Sequence, residues 1–278
     1  MIPDANLGWL FTEVPFPGRY AAAARAGFTA VESPWPPLSA REVAARVEEH
    51  GLRSVLVNLR QGEPGTEFAF GWACHPGQVD TFRETFTDAL EFADVTGTRF
   101  LHVVGGLVPE GVEQAEAYAV YHDNLTWALA QLPTESDTVL VAEAINRRDN
   151  PRFLFRDLEE VAGLIRGINH SRVRVLFDTF HAGVEALMEH EANEPSARNA
   201  AGLRVDVASR YASVVDVVGH VQLGDAPGRT DPGSGVVDFD RFFAALRDLG
   251  WTGWVGGEYR PLAGTEAGLG WRDRLHGG

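Results

Sequence analysis

TVLVAEAINRRD, residues 138–149, decides how the rest of the chain is read. Its apolar run, Val139-Leu140-Val141-Ala142, leads straight into a carboxylate, Glu143. A strand that dry is expected to be buried on both faces, which delivers its last side chain at the rim of a sheet. Three later stretches repeat the pattern: VRVLFD ends on Asp178, GHVQL presents Gln222 and GWVGGE ends on Glu258. The gaps between these four residues are 35, 44 and 36, close to the ~30 or more residues of one strand–helix unit. Four successive strands therefore aim four oxygen-bearing side chains at one end of a parallel sheet.

Outward from that stretch the alternation continues in both directions. Strands are expected over 5–11, 28–33, 53–59, 99–106, 138–145, 173–180, 219–223 and 253–259. Helices are expected between them, among them 39–51 with Ser39 as N-cap, Glu42 three residues on and Gly51 as the stop. Eight such units predict an α/β fold, a single (β/α)8 TIM barrel over residues 1–278. A doubly wound dinucleotide fold would need G-x-G-x-x-G after an early strand, and none is present. The loop 60–76, with Phe68, Phe70 and Trp72 among glycines, is expected to line a pocket or an interface.

Composition excludes several chemistries. All 24 basic residues are arginine, so a Schiff-base aldolase, a pyridoxal-phosphate enzyme and a Walker-type phosphate loop each lack their lysine. The one cysteine, Cys74, rules out an internal disulfide and a cysteine zinc knuckle; a packing role is expected for it. A net charge of −15 opposes nucleic acid and anionic membrane surfaces as partners. No run approaches the ~20 apolar residues of a membrane span. The start, MIPDANLGWLF, lacks a basic segment followed by a long apolar one, so no signal peptide and a cytoplasmic setting are expected.

At the strand ends of such a barrel stand Glu32, Asn58, His102, Glu143, Asp178, Gln222 and Glu258. Burying several of these unpaired would cost several kcal/mol each. A cation relieves that cost. Glu143, Asp178, Glu258 and the amide oxygen of Gln222 make a hard, all-oxygen ligand set that suits Mg²⁺ or Mn²⁺ better than zinc. Asn58 and His102 are taken as substrate contacts, with a structural histidine the other role open to His102. Asp149 either orients substrate or pairs with Arg147 or Arg148.

The stretches FTEVPF (11–16), EAINRRD (143–149), DTFH (178–181), GHVQLGDAPGR (219–229) and EYRPLAGTEAGLGW (258–271) resemble the hydroxypyruvate isomerase family. That family lies in the xylose-isomerase-like barrel superfamily, beside the ketose 3-epimerases and the inosose dehydratases. The resemblance implies that Glu143 and Glu258 transfer protons and that Glu143, Asp178, Gln222 and Glu258 hold the metal. It also implies that His181 and Arg229 contact substrate, Arg229 clamping a carboxylate. The implied reaction converts hydroxypyruvate to tartronate semialdehyde through an enediolate whose charge a divalent ion offsets. Glutamine at 222 is the isomerase form; the epimerases carry histidine there. The segment around 187–206 is nearly twenty residues longer than the isomerase pattern, which leaves substrate identity open and offers a subunit contact for a homo-oligomer. A 2-oxo-tetronate isomerase, a ketose 3-epimerase and a catalytically silent small-molecule-binding relative are the alternatives. The superfamily's DNA-repair endonucleases use a histidine-rich zinc cluster, and none of the four ligand positions here is histidine.

Overall fold

Each apolar run forms a strand, and in the computed structural model the eight strands close into a barrel in chain order, β1 to β8. The structure describes residues 1–194 and 202–277. The strands are β1 (Ile2–Asn6), β2 (Ala30–Ser33), β3 (Arg53–Asn58), β4 (Phe100–His102), β5 (Val139–Glu143), β6 (Val173–Asp178), β7 (Val218–Leu223) and β8 (Trp254–Gly257), and every neighbouring pair is parallel. The helices are α1 (Phe16–Arg25), α2 (Ala40–Glu49), α3 (Val79–Thr96), α4 (Gln114–Gln131), α5 (Leu158–Ile168), α6 (Thr179–Asn193), α7 (Ala208–Val214), α8 (Phe239–Asp248) and α9 (Trp271–Arg274). The parallel (β/α)8 barrel expected from the alternation is the fold.

Side chains two apart share a face of a strand, and that period builds the barrel's interior in layers. Leu56, Phe100, Val141 and Leu176 pack with Ala30 and Trp254 into an apolar floor. Two residues further on, Asn58, His102, Glu143 and Asp178 stand at the C-terminal rim. The outward faces bury against the helices, whose own apolar stripes complete the larger core. In α8, for example, Phe239, Phe242, Phe243 and Leu246 are all buried. The expected cap of α2 is present: Ser39 accepts from the Glu42 amide, Glu42 returns a carboxylate to the Ser39 amide, and Gly51 adopts φ +64.

Several boundaries differ from expectation, and those of the first and sixth strands have a visible local cause. The first strand ends at Asn6, not Phe11. The Asn6 side chain accepts from the Gly8 amide at 2.9 Å and its carbonyl accepts from Trp9 and Leu10, a turn that stops the strand. Leu7, Leu10 and Phe11 remain buried, as loop residues packed on the core rather than strand. The fourth strand has only three residues, Phe100–His102. The sixth stops at Asp178, because that side chain accepts from the Phe180 amide and caps α6. His181 consequently sits in the first turn of a helix.

Of the long segment around 187–206, Leu187–Asn193 belong to α6 and Val205 bridges Val237; residues 195–201 lie outside the described part. In the loop 60–76, Phe68 stacks on Trp72 and Phe70 meets Phe153 edge-on at 5.5 Å. Cys74 is fully buried, and burial pushes its thiol up to about 12, as befits a packing residue. Among the described residues no helix is long and apolar enough to cross a membrane.

Candidate active site

The rim of the barrel gathers the predicted residues from β3 through β8. Glu143 closes β5, and the register sets Asp178 beside Gln222 and Gln222 beside Gly256. Glu258 follows β8 directly, its amide donating to Leu223 O. Glu143, Asp178 and Gln222 are buried, whereas the Glu258 side chain keeps 13% of its surface.

Arg229 ties these acids together. Its Nη2 lies 2.7 Å from Asp178 Oδ2 and 2.8 Å from Glu258 Oε2, and its Nε donates to the Glu258 carbonyl at 3.1 Å. Trp9 and Phe180 flank its guanidinium at 4.8 Å each. Its backbone adopts φ +52, an uncommon conformation outside glycine. Arg229 is thus a largely buried partner of two acids.

Electrostatics follow from crowding three carboxylates around one guanidinium. Burial, then the charges of Asp178 and Glu258, hold the Glu143 carboxyl well above its usual range. Burial raises Glu258 to about 8 against the pull of Arg229, with Asp178 adding to the rise. Asp178 is raised by burial too, although Arg229 and the Phe180 amide oppose it. Glu143 Oε1 has no hydrogen-bond partner among the described residues. Ligand-type atoms of Glu143, Asp178 and His181 all lie within 4.8 Å of one another. An orphaned buried oxygen amid surplus negative charge fits a hard divalent cation.

The two histidines play different parts. His102 Nδ1 meets Asn58 Oδ1 at 3.2 Å, and its Nε2 faces Glu143 Oε2 at 3.7 Å. Burial pushes His102 down to about 3, so the ring is neutral at physiological pH. With its proton on Nδ1, the Nε2 lone pair opposes a carboxylate oxygen, a gap suited to a hydroxyl.

His181 is oriented from behind. Its Nδ1 faces the Asn146 backbone N–H at 3.3 Å and the Asn146 amide at 2.8 Å. Asp149 settles which end of that amide is which: its backbone N–H donates to Asn146 Oδ1 at 2.9 Å and its carboxylate accepts from Nδ2 at 3.1 Å. Nδ1 is therefore an acceptor and the proton sits on Nε2, 3.8 Å from Glu143 Oε1 and from Asp178 Oδ2. That tautomer makes His181 a donor at the site and not a ligand. Burial, then the charge of Arg229, keeps it neutral. Asp149 does not take the expected pairing with its neighbours: Arg147 pairs with Glu185 and Arg148 with Glu191.

Sequence reasoning missed Asn146, although it lies inside the quoted stretch; an amide three residues past a strand carries no pattern of its own. It also missed Asp4 and His220, which face inward two residues before Asn6 and Gln222. The two-residue period on β7 points to His220, and it would have found Asp4 had β1 been placed at its true start. A wide cleft at the opposite end of the barrel, between Leu52–Ser54, Thr96–Arg99 and Pro133–Thr138, holds none of these groups; that end of the fold serves stability.

A parallel (β/α)8 barrel with acids and amides converging at its C-terminal rim is an enzyme architecture. Residues 20–275 match the model of the xylose isomerase-like TIM barrel, and the chain belongs to that family. It is 34% identical over 268 residues to the 2-oxo-tetronate isomerase of Cupriavidus necator, covering 96% of this chain and 95% of that one. It is 30% identical over 271 residues to the hydroxypyruvate isomerase of Escherichia coli K12, covering 97% of each. Among solved structures, one from Brucella melitensis described as a family 2 AP endonuclease superposes with a TM-score of 0.84 at 28% identity over 98% of both chains. A D-psicose 3-epimerase shares the fold at a TM-score of 0.72 and 17% identity, over the full length of each. The curated relatives are isomerases, and this chain is an isomerase of the same family.

Proposed function

We propose that the protein interconverts the 2-oxo and neighbouring hydroxyl groups of a short hydroxy-oxo acid, with hydroxypyruvate to tartronate semialdehyde as the first candidate. The observation that carries this reading is the pair of buried glutamates, Glu143 and Glu258, that share one charge cluster with Asp178 and Arg229 and are both raised by burial. A group that shuttles protons near neutral pH needs a pKa lifted toward that pH, and both are lifted.

One glutamate takes the proton from the hydroxyl-bearing carbon, C3 of hydroxypyruvate, leaving an enediolate. The other returns a proton to C2, and the hydroxyl proton passes from the oxygen on C3 to the oxygen on C2. No atom is gained or lost. A divalent cation, Mg²⁺ or Mn²⁺, held by Glu143, Asp178, Gln222 and Glu258 supplies positive charge against the charge that develops on the two oxygens. His181 Nε2 and Arg229 Nη1 are 3.0 Å apart, two donors face to face. An acceptor that takes both N–H groups from one side relieves that repulsion, and a substrate oxygen is the natural one. Asn58 and His102 bound the site on the side of Glu143. A cytoplasmic setting belongs to the same proposal.

Hydroxypyruvate and 2-oxo-tetronate share a 2-oxo acid head with a hydroxyl on the next carbon, so both relatives' names fit one chemistry. An endonuclease reading finds no support in a ligand set without histidine and a chain of net charge −15. The test is incubation of the Mn²⁺-loaded enzyme with hydroxypyruvate, with 2-oxo-tetronate and with neutral ketoses in deuterated water, each followed by NMR. Isomer formation with deuterium at C2 or C3 of one acid is expected. Exchange only with neutral ketoses would overturn the acid assignment, and exchange with neither class would overturn the reaction.

A further inference from the structure

Between the rim and the apolar floor lies a second buried polar group that the reaction does not use. Asp4 on β1, Glu32 on β2 and His220 on β7 are at most 1% exposed, and their ligand-type atoms lie within 4.8 Å of one another. Gly256 on β8 leaves them room: a Cβ there would stand 2.8 Å from Glu32 Oε1 and 3.0 Å from Asp4 Oδ1.

A second cation is the first occupant to weigh, and the donors around Glu32 argue against it. Glu32 Oε1 accepts from Gln222 Nε2 at 2.7 Å and from Asn6 Nδ2 at 3.0 Å, while Oε2 meets His220 Nε2 at 2.6 Å. Three N–H groups converge on one carboxylate, and their hydrogens would repel a metal ion there. None of the N–H or hydroxyl donors of the described residues reaches either Asp4 oxygen, and Glu32 is the carboxylate beside it. Burial and the adjacent Glu32 charge push it well up, which suits a carboxyl that keeps its proton beside Glu32. By contrast, Glu32 accepts three N–H bonds on its two oxygens, the geometry of an ionised carboxylate. The cluster is thus organised around one ionised carboxylate.

An ionised carboxylate only accepts hydrogen bonds. The two ends of a glutamine amide are nearly the same in shape, yet only the carbonyl oxygen ligates a hard cation. We propose that Glu32 is a positioning residue: it captures Gln222 Nε2 and so leaves Oε1 as the end available to the divalent ion. Imidazole offers no such ambiguity once its other nitrogen is engaged, so a glutamine at this position needs an orienting acceptor. The inference rests on the proposed cation site, in which Gln222 is one of four ligands.

The experiment is a double-mutant cycle on Mn²⁺ affinity, read by electron paramagnetic resonance on EDTA-stripped protein without substrate. Glu32→Gln offers Gln222 an amide that can pair with either of its ends, and a loss of about tenfold to a hundredfold in affinity is expected. Gln222→Ala is expected to weaken binding by at least as much. In the Gln222→Ala background, Glu32→Gln should change affinity by less than about twofold, because its effect runs through the missing amide. Additive losses, or an unchanged affinity in Glu32→Gln, would overturn the positioning role. Glu32→Asp, which keeps the charge for His220 but withdraws from Gln222, gives the same test should Glu32→Gln not fold. Absence of stoichiometric Mn²⁺ binding in the wild type would instead remove the cation site itself, and unchanged binding in Gln222→Ala would remove that ligand and this inference together.

Discussion

At the scale of single residues the site works by fixing protons. Glu143→Gln and Glu258→Gln keep shape and remove the titrating oxygen, so each is expected to lower turnover on the order of 10³-fold; steady-state kinetics near wild-type rates would remove the two-glutamate mechanism. Asn146→Asp tests the tautomer of His181. The new carboxylate would accept from Nδ1 and draw the proton away from Nε2, which now faces Glu143 and Asp178. A fall in kcat on the order of 10²-fold is expected, within the range of a lost proton donor. ¹⁵N NMR of the ring should show Nδ1 protonated; an unchanged Nε2-protonated ring would refute the account. Arg229 teaches the limit of reading residues one at a time. Its motif marks it as important, but its pairing with Asp178 and Glu258 could be seen only once β6, β8 and the loop after β7 stood together.

At the scale of elements the quoted stretch does two jobs. Its strand half places Glu143, and its loop half fastens β5 to α6. The Arg147 amide donates to Glu185 Oε1 at 2.6 Å and the guanidinium to Oε2 at 2.7 and 3.0 Å. The Arg147 side chain is 49% exposed and keeps water as a partner, so the ion pair itself adds little. The bond to the buried Glu185 is the larger part. Glu185→Ala is expected to cost about 1–2 kcal/mol, read as a melting shift of about 2–8 °C for a chain of this size, with a raised KM because His181 rides on the same helix. An unshifted melting temperature would show the tie to be dispensable. Far from the first strand, the segment GTEAGLGW acts likewise as a fastener: Thr265 donates its amide and its hydroxyl to Glu13, and its Oγ1 accepts from Phe11. The barrel's two ends of chain are joined there beside the rim.

For the whole molecule the proposed cation site implies a coupling between cation, protons and stability. In the metal-stripped protein Glu258 holds its proton to about pH 8, whereas in an unfolded chain a glutamate releases it near ~4.3. The folded pKa is the higher one. This group's contribution is therefore full below ~4.3 and is lost as pH rises toward 8, with Glu143 and Asp178 acting in the same direction. Calorimetry of stripped wild type against Glu258→Gln isolates the effect: the wild type should lose melting temperature relative to the variant between pH 5 and 8. Adding Mn²⁺ should reverse the trend and release protons, since ligation favours the ionised acids. A wild type that gains on the variant as pH rises would contradict the raised carboxyl.

The barrel, its strand order and the acids at its rim were legible in the linear chain, because dryness along a strand, the two-residue period and helix stops are local properties. The family resemblance added roles to Glu143, Asp178, Gln222 and Glu258 on the same local footing. The fold alone decided how those groups are held: Glu32 reaches Gln222 across 190 residues and His220 across 188. The tautomer of His181 likewise depends on an amide 35 residues away. Hydrogen bonds between distant strands follow from closing the barrel, and no pattern along the chain encodes which end of an amide will face which oxygen.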